Sequence, residues 1–156
     1  MSNRILVPYD DSEYSNKAVR HTIKYAKSFS KDAEIILMYV VPEIHLPPSY
    51  DYGMKISDIK TTKEYRKELY QQMKMRALEM LNRKKDEFKD AGINNVRTQI
   101  SIGNPIEKIL DLAFAEKVDL IIIGSIGLGG ISKLRALGSV SRSVSERAKC
   151  PVLIVR

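Results

Sequence analysis

From Val118 to Ile123 every residue except Asp119 is apolar, and the run stops abruptly at Gly124-Ser125-Ile126-Gly127-Leu128-Gly129-Gly130. A β-rich run this short, bounded by glycine, reads as a strand buried on both faces, which is the situation of a parallel sheet. Eight residues after Gly130 comes Gly138-Ser139, followed by Val140, Val144 and Ala148 at helical spacing. The order is therefore buried strand, glycine loop, Gly-Ser, helix. Glycine tolerates positive φ and lets the backbone approach a ligand with no Cβ in the way. A helix start adds unpaired N–H groups and the positive end of its dipole. Together they make an anion site, and the commonest anion at such a place is phosphate. The same spacing also suits a plain strand-to-helix turn. Neither the G-x-x-x-x-G-K-[ST] loop nor the G-x-G-x-x-G fingerprint is present, since Ser132 stands where the third glycine would fall.

Alternating strand and helix signals run through the rest of the chain. Ile5 to Tyr9 is a short β-rich run, and Asp10 and Glu13 stand in capping-box spacing ahead of a helix over about Tyr14 to Ser30. Ile35 to Val41 is a second buried strand. Pro42 to Ile59 has no clear period and reads as a long loop, either a flap or an insertion. Tyr65, Leu69, Met73, Ala77, Met80, Leu81 and Phe88 then mark a helix over about Thr61 to Asp90, their stripe being core packing. Val96 to Ile102 alternates as a half-exposed edge strand. Asn104-Pro105-Ile106-Glu107 is a helix start, with Asn as the cap and Pro in the first turn. Val152 to Val155 closes the chain as a last strand.

This pattern predicts an α/β fold: one Rossmann-like, doubly wound domain over 1–156, its five parallel strands in the order 3-2-1-4-5, with helices on both faces. The order reverses between strands 1 and 4, and ligands in such sheets sit at that reversal, beyond the carboxyl ends of the strands. The turn after strand 1 and the glycine loop after strand 4 should therefore meet in one crevice.

Charge supports an anionic ligand there. The chain carries a formal +7, and from Leu128 onward Lys133, Arg135, Arg142, Arg147, Lys149 and Arg156 face a single acid, Glu146. No DNA- or RNA-binding module is recognisable, so sequence-specific nucleic-acid binding is not expected. No apolar stretch approaches the ~20 residues needed to cross a bilayer. Met1-Ser2-Asn3-Arg4 runs straight into a strand without a signal peptide, and Cys150 has no internal partner. Those features point to the cytoplasm.

Gly124-Ser125-Ile126-Gly127 with the later Gly138-Ser139 resembles the nucleotide-binding signature of the universal stress protein family, in its ATP-binding subgroup. Ile5 to Glu13, Gly103-Asn104-Pro105, Asp119-Leu120-Ile121 and Pro151 to Val155 also fit the family. Ten residues separate Gly127 from Gly138 where the family pattern has nine. The resemblance implies an adenine nucleotide, ATP or AMP, with magnesium arriving on the phosphates of ATP. It implies a site of Pro8, Tyr9, Asp10, Val40, Gly124, Ser125, Gly127, Gly138, Ser139, Val140 and Ser141. Asp10 and the Val40 backbone would fix the adenosine end, and Gly124, Gly127, Gly138, Ser139 and Ser141 would surround the phosphates. Lys133 and Arg135 are candidates to add charge. The family further implies a homodimer in which residues 151 to 155 of two chains meet antiparallel.

Catalytic equipment is thin. His21 and His45 accompany no serine or cysteine signature, and no Cys/His cluster offers a metal site. The expected function is a regulatory nucleotide-binding protein of the stress-response type, with slow or absent ATP hydrolysis. The alternatives are a small adenylating or phosphoryl-transfer enzyme of related fold, or an interaction module that binds no nucleotide.

Overall fold

The computed structural model describes residues 3–29, 32–45, 56–128 and 137–156, the side chains of 56–62 excepted. Nine elements alternate: β1 (Arg4–Pro8), α1 (Glu13–Phe29), β2 (Glu34–Val41), α2 (Ile56–Asp90), β3 (Val96–Ile102), α3 (Pro105–Ala115), β4 (Leu120–Gly124), α4 (Ser139–Arg147) and β5 (Val152–Val155). The strands form one sheet in the order β3-β2-β1-β4-β5, and every neighbouring pair is parallel. The expected order and the position of its reversal are both present.

Each central strand divides its side chains between two cores because successive residues point to opposite faces. Ile5 and Val7 of β1 and Tyr9 just after it, with Ile35 and Leu37 of β2 and Ile122 of β4, pack against Ala18, Val19 and Ala26 of α1 and Leu81 and Phe88 of α2. Leu6, Ile36, Met38, Ile121 and Ile123 turn the other way, onto Ile109 and Ala113 of α3 and Val144 of α4. Both faces of β1, β2 and β4 are thus dry, which accounts for the unbroken apolar runs.

Two local expectations change. The helix expected from about Thr61 begins at Ile56 and so takes the last residues of the expected loop, whose Pro47, Pro48 and Gly53 lie outside the described residues. None of residues 63–76 is buried, and Tyr65 of the expected core stripe is 55% exposed. The cap of α1 is Ser12 rather than the expected Asp10–Glu13 box: the Ser15 N–H donates to Ser12 Oγ at 3.1 Å. Glu13 pairs instead with Lys17 at 2.8 Å.

The opposite end of the sheet is closed by charge. Glu34 accepts from Arg4 Nε at 2.8 Å and from Arg97 Nε at 2.7 Å, and Arg97 continues to Glu116 at 3.0 Å. The cluster ties β1, β2, β3 and the end of α3 together. Hydrogen bonds from Arg97 and then Arg4 hold the Glu34 carboxyl below its ordinary range. A carboxyl lowered on folding stabilises above its unfolded pKa, and that gain is lost as pH falls through its folded pKa. Glu34→Gln should therefore lower stability at neutral pH by no more than about 1 kcal/mol, the cluster being partly open to water. The difference from wild type should vanish at acid pH. Urea titrations at pH steps from 7 downward measure this; a gap that does not narrow as the pH falls would contradict it.

Candidate functional site

A cavity of about 580 Å³ opens at the carboxyl ends of β1, β2 and β4, where the strand order reverses. Pro8, Tyr9, Asp10, Val40, Gly124, Gly127, Gly138, Ser139, Val140 and Ser141 all line it. Of the residues expected at the site, Ser125 alone is absent from the lining; it is buried beneath the loop. Lys133, Arg135, Gly129 and Gly130 lie outside the described residues.

The turn after β1 and the glycine loop are joined by two side chains, Asp10 and Ser12, the Ser12 hydroxyl donating to the Ile126 carbonyl at 3.5 Å. Asp10 Oδ1 accepts from the Ser12 N–H at 3.1 Å, and Asp10 Oδ2 accepts from the Leu128 N–H at 3.2 Å. A Cβ on Gly127 would stand 2.8 Å from Asp10 Oδ2. Glycine at 127 therefore leaves room for the carboxylate that holds the loop.

The loop is in turn fastened to the start of α4. The Ser125 carbonyl accepts from the Gly138 N–H at 2.8 Å and from Ser141 Oγ at 2.7 Å. Gly138 caps α4 with no side-chain hydrogen bond, so the first-turn N–H groups are not satisfied by a cap. A Cβ on Gly138 would stand 3.2 Å from the Ser125 carbonyl oxygen. Gly124, Gly127 and Gly138 do not adopt positive φ. Positive φ does not explain these glycines; space does, since a Cβ would meet the first turn of α1 at Gly124, the Asp10 carboxylate at Gly127 and the Ser125 carbonyl at Gly138.

Some expected site residues have their side chains committed elsewhere. Tyr9 is buried in the α1–α2 core, its hydroxyl 2.7 Å from Asp11 Oδ1 and 2.9 Å from Asn16 Oδ1. Burial, followed by the Asp11 hydrogen bond, pushes the Tyr9 phenol well above its ordinary range. Ser141 is buried with its hydroxyl on the loop carbonyl, whereas Ser139 is exposed at the first helical position. Ser125 Oγ is buried and has no hydrogen-bond partner among the described residues.

Sequence reasoning missed the apolar wall. Met38, Pro42, Pro105, Ile109 and Ile123 line the cavity together with Val40. They come from β2, the segment after it, α3 and β4, so no local pattern groups them; only the fold does. Asn104 Oδ1 accepts from the Ile106 and Glu107 N–H groups, which sets the start of α3 and the position of Pro105. The cavity thus has an apolar side able to receive a flat ring and a side of glycine backbone and helix start able to receive an anion. Its one carboxylate among the described lining residues, Asp10, stands in the turn that borders the glycine loop. His21 and His45 are exposed and do not line it. Among the described residues, no group of three or more His, Cys, Asp or Glu could hold a metal ion, and no helix is long and apolar enough to cross a membrane.

The model of the universal stress protein family matches residues 1–156. Universal stress protein YxiE of Bacillus subtilis is 32% identical over 156 residues, covering 100% of both chains. The solved structure of protein MJ0577, a universal stress protein of Methanocaldococcus jannaschii, superposes with a TM-score of 0.80 at 32% identity, over 99% of this chain and 96% of that one. A universal stress protein solved in complex with cAMP superposes with a TM-score of 0.63 at 26% identity, over 99% of this chain and 96% of that one.

Proposed function

This chain belongs to the universal stress protein family, and from that premise we propose that it is a cytoplasmic regulatory protein that holds an adenine nucleotide, ATP or AMP, in the β1/β4 crevice. One observation carries the reading: an apolar wall and an uncapped helix start face the same cavity, at the reversal of strand order. The base would lie against Met38, Val40, Pro105 and Ile109, and the phosphates would meet Gly127 and the turn from Gly138 to Ser141. A volume of about 580 Å³ falls within the usual range for small-molecule sites. The related protein solved with cAMP supports the adenine class.

Asp10 would act in two ways, accepting hydrogen bonds from the nucleoside and holding the loop through the Leu128 N–H. Each Asp10 oxygen accepts one backbone N–H and keeps a further acceptor position for the nucleoside. With Asp10 so engaged, no other carboxylate or histidine among the described lining residues could orient a water, and hydrolysis would be slow. Magnesium would come on the phosphates of ATP and needs no dedicated protein cage.

Calorimetric titration with AMP, ATP and cAMP tests the site. Asp10→Ala should weaken binding by about 1.5–3 kcal/mol, the size of a lost hydrogen bond involving a charged group. Gly127→Val should abolish it, because the added side chain displaces the Asp10 carboxylate and fills the phosphate approach. Unchanged affinity in both variants would remove the nucleotide from this crevice.

A further inference from the structure

The 35 residues of α2 give it a length of about 52 Å, whereas the eight residues of β2 beneath it span about 26 Å. The helix must overhang the sheet. Its buried residues Ala77, Leu81 and Phe88 all fall in the second half, and none of residues 63–76 is buried. On one side the stretch is tied down, with Leu69, Tyr70 and Met73 half-buried and the Ile44 N–H donating to Tyr70 Oη at 2.8 Å, whereas residues 63–68, 71, 72 and 74–76 are exposed.

The overhang is also dense in exposed cations. Lys63, Arg66, Lys67, Lys74 and Arg76 are exposed, and none forms an ion pair among the described residues. Glu64 and Glu68 are the only acids between 63 and 76. Lys63, Lys67, Gln71, Lys74 and Leu78 recur at intervals of four, four, three and four, which sets them along one side of the helix. Met75 adjoins them, and Met75 and Leu78 are 65% and 45% exposed.

We propose that this side of α2 is a docking surface for an acidic amphipathic helix of another protein. The lysines call for carboxylates, and Met75 and Leu78 supply the apolar anchors by which one helix seats on another. A second copy of the chain is a poor occupant because it would bring the same lysines against these. A nucleic-acid backbone would satisfy the lysines but make no use of exposed Met75 and Leu78. A bilayer would need a broader apolar face than two side chains provide. The surface is independent of the nucleotide crevice, so either assignment can fail alone.

The test uses a labelled synthetic 18-residue helical peptide with leucines along one side and glutamates flanking them, read by fluorescence anisotropy against the full chain. Its analogue with lysine for glutamate, a single-stranded oligonucleotide and phosphatidylserine vesicles complete the set. The acidic peptide should bind, and Lys67→Glu with Lys74→Glu should weaken it about tenfold or more. Met75→Ser with Leu78→Ser should weaken it several-fold at a salt concentration that leaves the wild type bound. Equal binding of the acidic peptide by wild type and both double variants would overturn the proposal, as would no binding at all. Tighter binding of the oligonucleotide or of the vesicles would also overturn it, assigning the lysines to that surface instead. Circular dichroism and nucleotide titration should be the same for wild type and variants, since the substituted positions touch neither core nor crevice.

Discussion

Gly124→Ala should cost this protein about 3 kcal/mol or more and leave much of it unfolded at moderate denaturant, although it adds only one methyl group. A Cβ at 124 would stand 2.6 Å from the Tyr14 carbonyl carbon and 2.8 Å from both the Tyr14 oxygen and the Ser15 nitrogen. All three are backbone atoms, so no side chain can swing aside. Neither wall can retreat. Gly124 pairs with Val155 in the sheet, and the next N–H, that of Ser125, donates to the Val155 carbonyl at 2.8 Å. On the other side the first turn of α1 is fastened by Ser12 and Ser15. Overpacking a core usually costs 1–3 kcal/mol with partial relaxation, and a backbone clash between two fixed elements lies at or beyond the top of that range. Against a total stability of roughly 5–15 kcal/mol the loss is severe. Gly138→Ala is the contrast: its Cβ would come only to 3.2 Å from the Ser125 oxygen, a contact that a small shift of the loop can relieve. Urea unfolding followed by circular dichroism separates the two. A Gly124→Ala midpoint equal to wild type would show that α1 can move.

That contrast also marks what could be read from the residues alone. The sequence signature groups Gly124, Gly127 and Gly138 as one phosphate-facing set. The structure gives each a different neighbour: the backbone of α1 for Gly124, the Asp10 carboxylate for Gly127 and the loop backbone for Gly138. A glycine pattern reports that space is scarce, and only the fold reports what takes the space. Strand order was legible because β1, β2 and β4 are apolar on both faces, whereas β3, with Arg97, Gln99 and Ser101, cannot be central. The apolar wall of the cavity was not legible. Met38, Pro105 and Ile109 each look like ordinary core or cap residues in their own elements, and they meet only once α3 is laid across the ends of the strands. The start of α2 was hidden for the opposite reason. Periodicity is written by burial, and none of residues 63–76 is buried.

Leu153→Lys should convert the protein from a dimer to a monomer. Among the described residues β5 hydrogen-bonds to β4 alone, which leaves its other side an edge along Val152, Leu153, Ile154 and Val155. An apolar edge strand invites association unless something covers it. We propose that a second copy does so, with residues 151 to 155 of the two chains antiparallel about a two-fold axis, each chain's edge satisfying the other's. Leu153 and Val155 are not equivalent as probes. Val155 is 5% exposed and packs into the core on the α1 side of the sheet, so a charge there would unfold the chain and say nothing about pairing. Leu153 is 38% exposed and free to carry a lysine in the monomer. In the dimer the axis would bring two such lysines close together at the seam, where like charges partly removed from water weaken association by at least about a hundredfold. Sedimentation velocity at micromolar concentration should show wild type at twice the chain mass and Leu153→Lys at the chain mass, with identical circular dichroism. A monomeric wild type would refute the pairing, and a Leu153→Lys variant that stays dimeric would place the interface elsewhere.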